Sequence, residues 1–162
     1  MGKAWRLRGR NGRRISGAHE TDAANRLPAT AASPSDPLSE PFWAAARRHE
    51  LHMQKCDACG RMAYPPEVAC RNCGGAGLGF TPLSGRATLH SWTVLHDPPS
   101  PGFRDRLPVI LAVVELEEQA RLLMSGNLVD IAADALRIGL PLEARFEDVT
   151  EDCTLVQFGP AR

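Results

Sequence analysis

The sequence predicts a mainly β chain: a short N-terminal helix, a small four-cysteine ribbon, then a five-stranded barrel. Three observations carry this. Cys56, Cys59, Cys70 and Cys73 form two C-x-x-C pairs, followed directly by Gly60 and Gly74. From residue 81 onward, runs of β-forming residues alternate with turns rich in Pro, Gly and acidic side chains. One earlier stretch, Ser39 to Glu50, carries its apolar residues at helical spacing.

The chain has 162 residues and no net formal charge. That length fits one domain or two small ones. Charge is unevenly spread. Residues 1–36 hold seven Lys or Arg against three Asp or Glu, a net of +4. Residues 81–162 hold seven Arg against twelve acidic residues, a net of −5. An acidic second half is a poor partner for phosphate backbones, where binding rests on Lys and Arg. No apolar run approaches the roughly 20 residues of a membrane helix, and no signal peptide is evident. The chain is expected in the cytoplasm.

Residues 1–37 are small and polar, with few large apolar side chains. Such a segment buries too little surface to offset its ordering entropy, so a disordered arm is expected. Residues 38–50 are expected to be the helix. Ser39 is placed to cap it, and Pro41 suits its first turn. Phe42, Trp43 and Ala46 share one side, while Arg47, Arg48 and Glu50 face out. So short a helix is marginal in water by itself, so it needs a surface to pack on, its own domain or a partner.

Residues 51–80 read as the ribbon. Leu51, Met53 and Lys55 alternate with His52 and Gln54, as in a strand leading into the first knuckle. Met62 to Tyr64 is a second short strand. Gly74, Gly75, Gly77 and Gly79 read as a flexible exit. A two-residue spacer lets a tight turn aim both sulfurs of a pair at one point, and the glycine after it frees the backbone to follow. Two such knuckles supply four thiolates for one closed tetrahedral site. Zinc is the metal this spacing favours, and iron also suits four thiolates. With every position filled by protein, the metal reads as structural. Paired disulfides would need an oxidising compartment, and a redox C-x-x-C would need a βαβ context that neither pair has. Cys153, the fifth cysteine, reads as a half-buried residue of a late strand.

Residues 81–162 supply the barrel. Gly85 to Leu95 is its first strand and Pro108 to Leu116 its central one. Arg121 to Leu128 follows, with Gly126 read as a bulge or bend. Ala132 to Leu136 suggests one helical turn. Leu142 to Val149 and Thr154 to Phe158 complete the set, with Leu142, Ala144, Phe146 and Asp148 on one side. Five strands with a short helix before the fourth suit a Greek-key barrel of the OB type.

At this point the residues from about Pro41 to Pro160 resemble a known family. Phe42-Trp43 heads the helix. The first cysteine pair is followed by Tyr64-Pro65-Pro66 and then the second pair. Leu83-Ser84-Gly85-Arg86 through Trp92-Thr93 opens the barrel, and Arg137-Ile138-Gly139-Leu140-Pro141-Leu142 precedes its last two strands. This order is similar to the rubredoxin-like zinc ribbon plus OB-fold proteins associated with acyl-CoA enzymes. The chain departs from the pattern in its polar N-terminus and in Gln119-Ala120, where the family often has a glycine.

The resemblance implies a non-catalytic accessory subunit that binds or positions an acyl-CoA thioester for a thiolase-like, aldolase-like or hydratase partner. Lipid, sterol or small-polyketide metabolism is the implied setting. The residues agree in offering no nucleophile elbow, no phosphate loop with Lys and Ser/Thr, and no H-E-x-x-H. For the CoA end, cations and an apolar wall are needed. Arg86, Arg104 and Arg106, with Trp92 and Phe103, are the one cluster in the barrel half offering both. The ordinary roles of these residues are solvated loop charge for the arginines and barrel core for Trp92. The alternative function is a single-stranded nucleic-acid-binding module, which wants a basic groove with stacked aromatics. Trp92, Phe146 and Phe158 are few, and the barrel half is acidic.

Overall fold

A computed structural model describes residues 36–97 and 107–161 of the chain. Most of the polar arm, together with Phe103, Arg104 and Arg106, lies outside the described residues. The first element is helix α1, Glu40–Ala46. Strands β1 (His52–Cys56), β2 (Met62–Ala63) and β3 (Leu78–Pro82) form an antiparallel sheet in the order β2-β1-β3. Strands β4 (Arg86–Leu95), β5 (Val109–Leu116), β6 (Leu123–Leu128), β7 (Pro141–Thr150) and β8 (Cys153–Pro160) follow. They close a barrel in the order β4-β5-β6-β8-β7.

Side-chain alternation explains the barrel. On β5, Ile110, Ala112, Val114 and Leu116 are buried, and the residues between them face the other way. Leu89, Met124, Leu142 and Phe158 meet them from the neighbouring strands. Closure comes where β6 runs parallel to β8, Leu128 opposite Phe158, with the Val129 amide donating to the Phe158 carbonyl at 2.9 Å. The turn before the fourth barrel strand is a 3-10 turn, Ala133–Ala135, as expected. Cys153 opens β8 and is half-buried, also as expected.

The helix packs on its own chain. Phe42 and Ala46 join the same buried cluster as Leu51 and Met53 of the ribbon and Val114, Leu142 and Phe158 of the barrel. The ribbon therefore shares the barrel's core through its first strand.

Several expectations are corrected. The helix stops at Ala46, because the chain reverses over residues 47–49 and His49 takes a φ of 58°. Ser39 makes no side-chain cap. Asp36 does that work one turn earlier: its Oδ1 accepts from the amides of Leu38 and Ser39 at 2.8 and 3.0 Å. Gln54 is only 3% exposed, because its amide bonds the Glu67 backbone in both directions. Of the glycine-rich exit, Gly74, Gly75 and Gly77 lie outside any strand, while Gly79 falls in strand β3, which pairs with β1 from Leu78 to Pro82. The third barrel strand begins at Leu123, after Arg121 turns at a φ of 62°. Gly126 makes no bulge. It stays in register opposite Ala112, and a Cβ there would lie 3.1 Å from the Phe158 ring. The register shifts fall between Leu89 and Ser91 and between Asp148 and Thr150. The second exposes Asp148 and buries Val149.

Candidate metal centre

Each knuckle is a hydrogen-bonded reversal ending on glycine. The Gly60 amide donates to the Cys56 carbonyl, and the Gly74 amide to the Cys70 carbonyl, each at 2.8 Å. Gly60 and Gly74 sit at φ values of 72° and 74°, a region costly for any residue with a Cβ. The same two glycines therefore fix where the sulfurs point.

The knuckles bring all four sulfurs within 4.8 Å of one another. Cys56 and Cys73 Sγ are 3.7 Å apart, and Cys59 and Cys70 Sγ 3.6 Å. Four thiolates at a zinc–sulfur distance of about 2.3 Å would be spaced by about 3.8 Å in a tetrahedron. The cluster fits that spacing before any ion is added. Cys56 and Cys70 are buried, and Cys59 and Cys73 face out.

Amides aim at the outer sulfurs. The Arg61 backbone amide, then the Asn72 side chain, hold Cys59 down to about 6. Cys73 receives the Gly75 amide, yet the crowding thiols of Cys59 and Cys56 push it up to about 12. Crowded thiols oppose one another's ionisation, and a bound cation resolves the conflict. A side chain at Gly75 would approach the Cys73 and Cys56 sulfurs at 3.4 and 3.5 Å, so this flank stays tight. The four cysteines stand in a metal-binding arrangement.

The CoA candidates fare differently. Arg86 Nε pairs with Glu117 Oε2 at 2.6 Å, and this contact holds the guanidinium more firmly charged. Trp92 lies six residues along β4, about 20 Å away at strand rise. The structure therefore separates Arg86 from Trp92. Trp92 is 37% exposed rather than in the barrel core, because β4 pairs with β7 only over Arg86 to Thr88. Sequence reasoning missed Gln119, whose side chain ties the β5–β6 turn to β2. The departure from glycine at that turn was its signal.

Among the described residues, no helix is long and apolar enough to cross a membrane.

Residues 43–79 match the family described as ChsH2, rubredoxin-like zinc ribbon domain, and residues 80–147 that described as ChsH2, C-terminal OB-fold domain. The chain is 35% identical over 107 residues to a DUF35 domain-containing scaffold protein of Methanothermobacter thermautotrophicus, covering 65% of this chain and 78% of that one. It is 36% identical over 121 residues to the probable enoyl-CoA hydratase alpha subunit of Thermomonospora curvata, covering 74% of this chain. It spans only 37% of that subunit's length. A solved structure described as an Ltp2-ChsH2(DUF35) aldolase superposes with a TM-score of 0.73 at 30% identity, covering 81% of this chain and all of that one.

Proposed function

The chain belongs to the ChsH2 family of rubredoxin-like zinc ribbon plus OB-fold proteins, and from that premise we propose that it is a non-catalytic accessory subunit of an acyl-CoA-processing enzyme. Its partner is a thiolase-like, aldolase-like or hydratase protein, and it helps to hold the thioester. The observation that carries this reading is the superposition on a complete chain of the aldolase assembly, from ribbon through barrel. The names of the hydratase subunit and the scaffold protein point the same way.

Zinc is the resident metal in this reading, held by Cys56, Cys59, Cys70 and Cys73, and its role is to fix the ribbon. The acyl-CoA end is assigned to Arg104, Arg106 and Phe103 with Trp92. Arg86 is the weakest of the five candidates, being already engaged by Glu117. Changing Arg104 and Arg106 together to Ala tests the assignment. Acyl-CoA binding by the assembled complex should weaken at least tenfold; unchanged binding removes these residues from the site. The reading places the complex in the cytoplasm.

A further inference from the structure

A cleft of about 240 Å³ lies between the ribbon and the β5–β6 turn. Arg61, Arg71 and Arg121 line it, with Glu67 as the one carboxylate. Three guanidinium side chains thus outnumber the one carboxylate, and Cys70 of the four-cysteine cluster lies in the same lining. Arg71 Nε engages Glu67 at 2.8 Å. Among the described residues, the side chains of Arg61 and Arg121 have no hydrogen-bond or ion-pair partner. Met62, Leu78 and Leu123 supply an apolar wall beside them.

The walls are held at a fixed separation. Gln54 grips the Glu67 backbone at 2.9 and 2.7 Å on the ribbon side. Gln119 grips the Met62 backbone at 2.8 and 3.1 Å across the cleft. These amides are spent on the scaffold, which leaves the guanidiniums of Arg61 and Arg121, with the Tyr64 hydroxyl, as polar groups for a ligand. A preformed cleft with few convergent polar groups and an apolar wall is the usual form of a small-molecule site. Guanidiniums match phosphate oxygens through paired N–H donors and stay charged at any working pH.

We propose that this cleft binds a small organic diphosphate, its anionic end between Arg61 and Arg121 and its carbon part on Met62, Leu78 and Leu123. The volume lies just under the roughly 300 Å³ where drug-sized pockets begin, which suits one end of such a molecule rather than a peptide. The cleft is at the Leu116 end of β5. The site is built from residues other than those of the acyl-CoA assignment and does not depend on it.

The test is calorimetric titration of the metal-loaded full chain with adenosine diphosphate and with inorganic pyrophosphate. Saturable one-site binding of adenosine diphosphate is expected, weakened by raising the salt. Arg61→Gln with Arg121→Gln should weaken it at least tenfold. Arg48→Gln with Arg137→Gln, the same charge change elsewhere, should leave it within twofold, and metal content checks that each variant is folded. Coenzyme A binding with the same sensitivity identifies the nucleotide end of a thioester as the source; adenosine diphosphate alone identifies a free nucleotide. Absent saturable binding, an equal loss in the control pair, or binding of an acidic peptide in place of both phosphates overturns the proposal.

Discussion

The side-chain amide of Gln119 pairs with both backbone polar groups of Met62. The Met62 amide donates to Gln119 Oε1 at 2.8 Å, and Gln119 Nε2 donates to the Met62 carbonyl at 3.1 Å. A residue from the β5–β6 turn thus supplies the pairing that β2 lacks along its open edge. This joins ribbon and barrel by a route independent of the shared core.

Replacing Gln119 with Leu keeps the bulk and removes both bonds. Two part-buried backbone groups then lose their partners, at about 1–3 kcal/mol for groups left unsatisfied. Denaturant unfolding should show a loss within that range, with metal content unchanged. A loss below about 0.5 kcal/mol would mean that water replaces the amide.

Metal removal should open the ribbon and spare the barrel. Metal binding is worth on the order of 10–16 kcal/mol in zinc-finger peptides, which unfold without it. Here Leu51 and Met53 belong to the barrel's core cluster, so β1 keeps an anchor. Hydrogen exchange after chelation should rise across residues 57–80 and stay low in β5 and β8. Global unfolding on chelation would show that the shared core is insufficient. The same preparation separates zinc from iron, since four-thiolate iron is coloured and zinc is not.

Asp148 links the chain reversal after α1 to the β7–β8 hairpin. Its Oδ1 accepts from Thr154 Oγ1 at 2.7 Å and lies 3.0 Å from His49 Nε2, and the His49 ring stacks on Phe146. The Thr154 hydroxyl first, and the His49 ring second, hold the Asp148 carboxyl below its ordinary 3.8. A depressed carboxylate adds stability above its unfolded value and loses it as pH falls through the folded value. The melting temperature of the wild-type protein should therefore fall more steeply below about pH 4 than that of Asp148→Asn. Parallel acid profiles for the two would contradict this.

Gly126 is a contact glycine. A Cβ there meets the Phe158 ring at 3.1 and 3.2 Å, and Phe158 is fully buried, so the ring has nowhere to go. Gly126→Ala should cost about 1–3 kcal/mol by overpacking. Pairing it with Phe158→Leu should recover part of that loss in the double mutant.

The sequence made the repeating features legible and hid the single contacts. Two C-x-x-C pairs specify a cluster because spacing alone aims the sulfurs. Ile110, Ala112 and Val114 announce a strand because burial repeats every second residue. Gly126 reads as a bulge from sequence because the ring that requires it is 32 residues away in the chain. The burial of Gln54 is hidden because the Glu67 backbone that buries it comes from the loop after β2. Ser39 and Asp36 both have capping chemistry, and backbone geometry decided between them. Gly79 sits in β3 because β1 supplies its pairing, overriding weak strand propensity.

The most direct test of the account is to tag the protein in its source cell, purify it gently and measure the native mass of what comes with it. The partner's turnover of acyl-CoA is then assayed with and without this chain. The account predicts a stoichiometric thiolase-like, aldolase-like or hydratase subunit that binds acyl-CoA poorly alone and regains binding when the chain is added back. A lone chain carrying single-stranded nucleic acid, or a partner fully competent by itself, would contradict it.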